Sequence, residues 1–409
     1  MTESYWLDNV RLESGYEMED ARIAATKTEL CRLRIEDGKI ADISPASSPL
    51  AADARVADGK GMLALPPFRD MHIHLDKTYY GGPWKAVRPA PHGIFSRLRE
   101  EEELLPRQLP VARERAEKLL GLLVSHGVTH VRAHCNIDPI VGLANLEATV
   151  RALETFRGTL SAEIVAFPQH GLLRSNAVPL VKEALRHGAT LVGGVDPATV
   201  DGNIEASLQA MMELATEAGA GVDLHLHDPD HLGVFTMRRL ARLTEQAGWQ
   251  GKVTISHAFG LAGVSAEAAA DAADLLAALR MDVASAVPIG ARTMPIPMLH
   301  RKGVRVHLGQ DSITDHWSPF GTGDMLEKAG RLAECCGWSD ERGLEKALGF
   351  ITGGVLPLDD SGSRAWPAVG SEASMVLTDA SCAAEAVARR AKRRDVYFKG
   401  KLVSSASNR

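Results

Sequence analysis

The middle of the chain alternates short apolar runs with longer amphipathic stretches. The runs have the length of buried strands, and the stretches between them, such as NIEASLQAMMELATEAGA, carry apolar residues at helical spacing. Several stretches end at a glycine, the usual residue just beyond a helix C-terminus: Gly127, Gly188 and Gly303. The eight predicted strands cover residues 70–75, 128–135, 162–169, 189–195, 222–227, 252–257, 282–287 and 304–310. Eight strand–helix alternations predict an α/β fold, a closed parallel (β/α)8 TIM barrel.

An open, doubly wound sheet is the alternative arrangement of the same alternating elements. It is disfavoured because no G-x-G-x-x-G motif opens the first helix. In addition, polar residues cluster at the ends of the predicted strands, where a barrel assembles its active site. The barrel is therefore the expected fold.

The two ends of the chain carry a different pattern, which predicts short strands and turns. Alternating apolar positions are broken at Asp37-Gly38 near one end and at Lys399-Gly400 near the other, and both pairs are hairpin signals. Neither end has enough strands to bury a core alone, so we expect the two ends to meet in space. The predicted domains are a small β-sandwich built from residues 1–65 and 358–409, and a catalytic barrel of residues 66–357.

Composition narrows the class of protein. The chain has 409 residues, of which 45% are hydrophobic and 24% charged, the proportions of an ordinary globular protein. A net charge of −6 gives no basic field for nucleic acid or an anionic membrane, and no run approaches the ~20 apolar residues of a membrane helix. The first residues lack a signal-peptide pattern, and the five cysteines are scattered, as is typical of a reducing cytoplasm. We therefore expect a cytoplasmic homo-oligomer that binds neither nucleic acid nor membrane.

Histidine is the unusual residue in this composition, because the chain has 15 of them and two lie in the first predicted barrel strand. His72 and His74, in MHIHLDKT, are two positions apart, so their side chains share one face of the strand at a spacing of roughly 6–7 Å. Two neutral imidazoles in such positions can chelate a borderline-soft divalent ion. The alternative is a pair of hydrogen-bonded histidines at a strand end.

Later predicted strands also end in histidine or carboxylate. The residues at the ends of the fifth, sixth and eighth strands are His225, His227, His257 and Asp311. The carboxyl ends of all barrel strands meet at one face, so these side chains and the first-strand histidines predict a metal-dependent active site.

The expected number of metals follows from the residues at the ends of the third and fourth strands. A binuclear site in such a barrel has a bridging group, a modified lysine or a glutamate, late in the third or fourth strand. The chain has Gln169 and Asp196 at these places. We therefore expect one divalent metal per chain, and nitrogen donors suit both zinc, the first choice, and iron.

Several motifs together resemble the cytosine deaminase branch of the amidohydrolase superfamily. They are LPPFRDMHIHLDKT, IVAFPQ, HLHD, TISHA and GQDSITDHWSPFGTGDM, and they extend from about residue 65 to residue 325. Within the branch, VGGVDPAT and D-x-W-x-P-F-G-x-G-D-M are most similar to enzymes that remove an alkylamine from a hydroxylated s-triazine. The resemblance implies a metal-dependent hydrolase that acts on C–N bonds of a small nitrogen heterocycle. A metal-bound hydroxide would attack a ring carbon in a deaminase or an alkylamine-releasing enzyme.

The resemblance also implies roles for individual residues. The positions that match metal ligands are His72, His74, His225 and Asp311. His257 matches a histidine beside the metal, and Gln169 matches a glutamine that hydrogen-bonds the substrate ring. Two positions depart from cytosine deaminases, because Asp228 replaces a proton-shuttling glutamate and Ser312 replaces a carboxylate. Both changes face the substrate, so we expect a ring other than cytosine.

Acid–base chemistry assigns further roles to these residues. Asp311 is the natural general base, and His227 or Asp228 would protonate the leaving amine, since an amide anion is a very poor leaving group. His257 would stabilise charge on the tetrahedral intermediate.

Other polar residues near the predicted strand ends have two interpretations each. Lys77 contacts a substrate carbonyl or carboxylate, or else lies in solvent, and Trp317 stacks on a flat ring or else packs its loop. His130 and His134, on the second strand, are interpreted as core residues or neighbours of the site, or else as residues that touch the substrate. His170 lines the pocket or lies behind it.

Two other functions fit part of this pattern. Hydrolysis of a cyclic amide such as a hydantoin or a lactam is the enzymatic alternative, but that class usually binds two metals. The non-enzymatic alternative is a barrel that only binds a ring ligand. It is disfavoured because a binding protein has no use for a metal hydroxide and an acid–base set.

Overall fold

The computed structural model describes residues 4–290 and 293–406, which form two sheets and the helices around them. The strands are β1 (Ser4–Glu19), β2 (Arg22–Glu36), β3 (Lys39–Pro45), β4 (Val56–Asp58), β5 (Leu63–Leu65), β6 (Phe68–Ile73), β7 (Val128–Asn136), β8 (Ser161–Phe167), β9 (Leu191–Val195), β10 (Gly221–His225), β11 (Val253–Ser256), β12 (Asp282–Ser285), β13 (Val306–Leu308), β14 (Met375–Thr378), β15 (Arg393–Phe398) and β16 (Lys401–Ser405). The helices are α1 (Ile94–Ser125), α2 (Ala144–Thr155), α3 (Val178–Arg186), α4 (Ile204–Ala218), α5 (Asp230–Gln246), α6 (Gly260–Gly263), α7 (Ala266–Ala278), α8 (Ile296–Arg301), α9 (Met325–Cys336), α10 (Glu341–Gly349) and α11 (Ala383–Arg389).

The strands β6 to β13 form the predicted barrel. They are parallel and lie side by side in the order of the sequence. The first and last of them are joined by backbone hydrogen bonds, since Asp311 N donates to His72 O at 2.7 Å and His74 N donates to Asp311 O at 3.2 Å. The (β/α)8 fold expected from the sequence is therefore confirmed. All eight predicted strands are present, each with ends shifted by a few residues.

A glycine permits the close contact that shuts the barrel. A Cβ atom added to Gly309 would lie 2.5 Å from His72 Cβ, 2.6 Å from His72 N and 2.7 Å from His72 O. Two of these three neighbours are backbone atoms of β6, which cannot move away without breaking the strand pairing. Only glycine therefore fits between β13 and β6 at this position.

The two ends of the chain form a second sheet, with the strand order β16-β15-β14-β5-β1-β2-β3. The predicted hairpin turns are present, because Asp37 and Gly38 have φ of 49° and 76°, and Lys399 and Gly400 have φ of 48° and 75°. Positive φ at both central residues is the type I′ geometry that matches the twist of a hairpin. The two ends thus meet in one sheet, as the sequence predicted, while the domain boundaries at 65/66 and 357/358 stay a prediction.

The first strands are longer than the short strands that the sequence predicted. β1 has 16 residues and β2 has 15, and their pairing shifts register between Leu7 and Val10, where Asn9 has a φ of 56°. A bulge adds a residue and reverses the inside–outside alternation beyond it. The sequence pattern was broken at such points, so a continuous ribbon was interpreted as several short strands.

Each sheet has its own hydrophobic core. The larger core joins the barrel to its helices, and the smaller one, which includes Leu7, Leu33, Met375 and Tyr397, lies in the terminal sheet. Among the described residues, the helices are all too short or too polar to cross a membrane.

The Gly309→Ala variant is expected to lose at least about 2 kcal/mol of unfolding free energy, since overpacking against backbone is among the costlier core changes. Gly349→Ala is the matched control, because its added Cβ would meet only the side chain of Leu356, at ordinary distances of 3.4 Å from Cδ2 and 3.8 Å from Cγ. Urea unfolding followed by circular dichroism measures both variants. Equal stability of Gly309→Ala and the wild type would contradict the role of Gly309 in closing the barrel.

Candidate metal-dependent active site

A cavity of about 670 Å³ opens at the carboxyl ends of the barrel strands. Most of the candidate residues from the sequence line it: His74, Lys77, Gln169, His225, His227, His257, Asp311, Ser312 and Trp317. His72 and Asp228 are not among the lining residues and are buried behind the wall, at 2% exposure each. The fold therefore brings together residues from five different strand ends at one place.

The first-strand histidines are oriented by hydrogen bonds on their Nδ1 atoms. His72 Nδ1 lies 2.8 Å from Ser256 Oγ, which donates to Asp223 Oδ1 at 2.6 Å, so Ser256 accepts from His72. His74 Nδ1 lies 3.2 Å from the backbone oxygen of His134. Both Nε2 atoms therefore carry the lone pair, and they lie 3.5 Å and 3.4 Å from Asp311 Oδ1.

The histidines at the other strand ends are buried with nitrogen atoms that lack hydrogen-bond partners. Within the described residues, neither nitrogen of His225 is hydrogen-bonded, and neither is Nε2 of His257. The ring of His72 lies 4.6 Å from that of His225 and 4.8 Å from that of His257, measured between centroids. Four imidazoles and one carboxylate thus face a common centre.

Burial sets the charge of these groups. It lowers the pKa of His74 to about 3 and lowers the pKa of His225 and of His257 well below the usual value, so all three are neutral at physiological pH. Burial would raise the pKa of Asp311, but the neighbouring side chains of His72 and His74 outweigh it and lower that pKa well below its usual range. Neutral imidazoles and an ionised carboxylate are the forms that bind a divalent metal.

The arrangement fits such a metal. His72, His74 and Asp311 offer ligand atoms within 4.8 Å of one another, and His72 and His225 belong to a second group with the same property. Unpaired buried nitrogen atoms are costly unless a ligand satisfies them. A cation at this centre would supply the missing partner.

His134 is the third member of that second group. The sequence did not predict that His134 lies close enough to His72 and His225 to share a metal with them. It lies on β7, is completely buried, and its ring stacks on His72 with centroids 3.9 Å apart. Neither of its nitrogen atoms has a hydrogen-bond partner in the described part of the chain. Its position in the alternation of β7 was the signal in the sequence that could have marked it.

The backbone turns sharply where two of the site residues leave their strands. His257 and Asp311 have φ of 69° and 63°, in the left-handed region that residues other than glycine rarely adopt. Such strained positions cluster at functional sites, where surrounding contacts hold them in place. Here the turn aims both side chains into the cavity.

Asp196 orients His227. Its Oδ2 lies 2.8 Å from His227 Nδ1, and its Oδ1 accepts from the backbone N of His227 at 2.5 Å and of Asp228 at 3.1 Å. Both carboxylate oxygens are therefore occupied by the loop that follows β10. Asp196 stands at the place where a binuclear site would have its bridging group, and here it supports a cavity histidine instead.

Asp228 is not among the residues that line the cavity. Its Oδ1 accepts a short hydrogen bond from Thr199 Oγ1, and the residue is 2% exposed. Of the two residues considered as proton donors to the leaving amine, His227 lies on the cavity wall and Asp228 lies behind it.

Lys77 is buried, at 1% exposure, and the alternative of a solvated loop lysine is therefore wrong. Its Nζ donates to Gln169 Oε1 at 2.9 Å and lies 3.4 Å from Glu101 Oε1. Burial alone would lower the pKa of Lys77, but Glu101 and nearby carboxylates raise it overall. The lysine is thus a fixed cation that holds the amide of Gln169.

Glu101, on α1, is the main residue of the site that the sequence did not reveal. It is completely buried and accepts from Trp317 Nε1 at 2.8 Å, with His316 Nε2 at 2.8 Å and His170 Nε2 at 3.2 Å. Burial would raise the pKa of Glu101, but Lys77 and the two histidines lower it well below its usual range. Glu101 lies within a run of four glutamates, which resembles an ordinary solvated helix face.

Comparison with known proteins identifies relatives of this site and fold. Residues 55–404 match the family described as the amidohydrolase family. The chain is 45% identical to the uncharacterized protein YahJ of Escherichia coli (strain K12), over 98% of this chain and 87% of that protein.

Solved structures with the same fold include two enzymes that act on nitrogen heterocycles. N-isopropylammelide isopropylaminohydrolase from Burkholderia multivorans ATCC 17616 has a TM-score of 0.86 and 30% identity, covering 98% of both chains. A 5-methylcytosine deaminase from Klebsiella pneumoniae, liganded with 5-fluorocytosine, has a TM-score of 0.79 and 28% identity, covering 98% of this chain and 97% of that one. The resemblance inferred from the sequence motifs is confirmed.

Metal content should depend on His225 and not on His134. The His225→Gln variant is expected to lose at least about tenfold in metal affinity because it removes a ligand, while His134→Gln keeps one metal per chain. Elemental analysis after mild chelation measures both. Two tightly held ions per wild-type chain, or metal loss in His134→Gln alone, would contradict this ligand set.

The Glu101→Gln variant is expected to lose about 3–5 kcal/mol of unfolding free energy, because it leaves Lys77 buried without a counter-charge. Glu102→Gln, the neighbouring exposed residue, is the matched control. The double variant Lys77→Met/Glu101→Gln should recover more than half of the loss. Urea unfolding measures all three, and equal effects of Glu101→Gln and Glu102→Gln would contradict the buried ion pair.

Proposed function

The chain belongs to the amidohydrolase family, and from that premise we propose that it is a mononuclear metal-dependent aminohydrolase. It acts on a small nitrogen heterocycle and releases ammonia or an alkylamine from an sp² ring carbon. The observation that carries the proposal is the convergence of His72, His74 and Asp311 on one centre. This centre lies beside His225, in the cavity that the Lys77–Gln169 pair also lines.

The proposed ligands of the metal are His72, His74, His225 and Asp311. Zinc is the proposed ion, and iron is the alternative, because neutral nitrogen donors suit both. When bound, such a metal lowers the pKa of a coordinated water from about 15.7 toward about 7 and so supplies the nucleophile. Location in the cytoplasm and assembly as a homo-oligomer stay predictions from the sequence.

Asp311 is the proposed general base. Its Oδ1 faces both Nε2 atoms of the first-strand histidines, and its side chain remains one-third exposed to the cavity. An ionised carboxylate in this position takes a proton from the attacking water. His257 Nε2, which has no hydrogen-bond partner among the described residues, is placed to hold the oxygen of that water in line with the ring carbon.

His227 is the proposed proton donor to the leaving amine, in preference to Asp228. The Asp196 carboxylate holds a proton on His227 Nδ1, so Nε2 is the atom that exchanges a proton with the substrate. Asp228 is tied to Thr199 behind the wall and has no such access. General acid catalysis of this kind contributes typically about 10²–10⁴-fold to the rate.

Gln169 is the proposed anchor for the ring. Its Oε1 is occupied by Lys77 Nζ, which leaves the amide NH₂ group to donate to a ring nitrogen or a carbonyl oxygen. Trp317, held through its Nε1 by Glu101, presents its indole to the same part of the cavity. A flat, oxygen-bearing ring matches both contacts.

Amine release from a panel of cytosine, isocytosine, ammelide and N-alkyl ammelides tests this function. The metal-loaded wild type should hydrolyse at least one ring, with kcat/KM for cytosine at least about 10²-fold below the best, a gap of about 2.7 kcal/mol. The reason is that Asp228 replaces the longer glutamate of cytosine deaminases and Ser312 replaces a charged carboxylate.

The Asp311→Asn variant is the control for this panel. It should keep part of its metal, since an amide oxygen can still ligate, but retain less than about a tenth of wild-type kcat. Absence of amine release from every ring would refute the proposed reaction, and cytosine as the best substrate would refute the specificity argument alone.

A further inference from the structure

Lys328, on α9, is a second buried lysine in the cavity wall. It is 6% exposed and lines the same cavity as Asp311. Its Nζ donates to the backbone oxygen of Ala286 at 3.1 Å and to that of Gln310 at 3.4 Å. The ammonium group therefore sits where β12 and β13 end.

Lys328 has no direct ion-pair partner among the described residues, although Asp311 and Asp70 lie near enough to act on its charge. In the described ranges, no carboxylate lies within salt-bridge distance of its Nζ, whereas Lys77 is paired with Glu101 at 3.4 Å and Arg331 with Glu327 at 2.8 Å. An ammonium has three N–H donors, and the two backbone contacts leave one of them unused. Lys328 lines the cavity, so its third N–H is available to a bound ligand.

The ammonium nevertheless stays charged at neutral pH. Burial, together with Arg331, lowers the pKa of Lys328 to about 8, while Asp311 and Asp70 oppose the shift. A buried charge without a partner is unfavourable in the folded protein. Buried groups with a shifted pKa cluster at functional sites, and here a ligand of opposite charge would supply the partner.

The positions of Gln169 and Lys328 indicate how a ligand would lie. Gln169 follows β8, the third barrel strand, and Ala286 follows β12, the seventh, so the two lie on opposite walls of an eight-stranded barrel. The cavity volume of about 670 Å³ is in the range that holds drug-sized ligands, and exceeds the need of a single ring. A ring held at Gln169 thus leaves room for a substituent that reaches Lys328.

We infer that Lys328 binds a carboxylate substituent of the substrate, whose ring is held by Gln169 on the opposite wall. The inference rests on the proposed function and narrows it to amino-substituted nitrogen heterocycles that carry a carboxylate. A phosphate carries about two negative charges and three acceptor oxygens, and it fits less well, because Lys328 offers one free donor and Arg331 is already paired with Glu327. Lys328 is then a specificity-determining residue and takes no part in proton transfer.

Binding of unreactive product-like rings to the metal-loaded protein tests the inference by calorimetry. The probes are uracil, uracil-5-carboxylate and uracil-6-carboxylate. The wild type should bind at least one carboxylate about tenfold more tightly than uracil, the size expected for one charge-assisted hydrogen bond. In Lys328→Met this preference should fall to within about threefold, while affinity for uracil is unchanged.

Matched variants separate ligand binding from a structural role. Lys302→Met removes an exposed lysine paired with Asp274 and should leave the preference intact, and Lys328→Arg should retain part of it. Lys328→Gln replaces Lys328→Met if the latter fails to fold. If Lys328 merely tied the two backbone carbonyls together, its variants would weaken uracil and carboxylate binding equally and lower the unfolding temperature.

The outcomes distinguish this inference from the proposed reaction. A preference for uracil, equal affinity for all three probes, no measurable carboxylate binding, or a carboxylate preference that survives in Lys328→Met overturns the inference. A Lys328-dependent preference without amine release from any amino-substituted ring refutes the reaction and leaves the carboxylate site in place.

Discussion

The backbone pairing between β6 and β13 is the contact on which the rest of the site depends. Asp311 N donates to His72 O and His74 N donates to Asp311 O, so the bonds that close the barrel are made by the candidate ligands themselves. A carboxylate from the last strand is thereby held beside two histidines from the first, although about 240 residues of sequence separate them. The hydrogen bonds that close the barrel therefore also bring the site residues together.

The low polarity of the surroundings determines the protonation states of the buried site residues. His74, His225 and His257 are neutral because burial penalises the imidazolium, and the cavity lysine Lys77 is charged because Glu101 lies against it. Electrostatic interactions are stronger in such surroundings than in water, so the partner of each buried group determines whether that group is charged. The cavity wall therefore combines neutral imidazoles, around the proposed metal position, with fixed charges such as Lys77 in the part proposed to hold the substrate.

The sequence predicted the barrel, the two terminal hairpins and the clustering of histidines with Asp311, because all of these follow from local patterns. Alternating apolar runs mark strands, and the residue at a strand's carboxyl end faces the site whatever the rest of the chain does. Glu101 could not be found in this way, since its burial depends on how α1 packs over the barrel and its neighbours in sequence are solvated. The support of His227 by Asp196 likewise requires the spacing of β9 and β10, which no single segment specifies. The ligand set itself was predicted by resemblance, and its test is metal analysis.

The terminal sheet has a consequence for the order in which the chain is made. β14 pairs with β5, and the turn at Gly38 packs against Lys399 at the other end of the chain, with the added-Cβ position 3.0 Å from its carbonyl oxygen. The ribbon of β1 and β2 therefore leaves the ribosome with its apolar face, including Leu7 and Leu33, uncovered until the last strands follow. An unpaired edge and an exposed apolar face favour aggregation of a nascent chain. The whole barrel is thus synthesised before the terminal sheet is complete, and a chaperone bound to this ribbon would have to remain until β14 to β16 have been made.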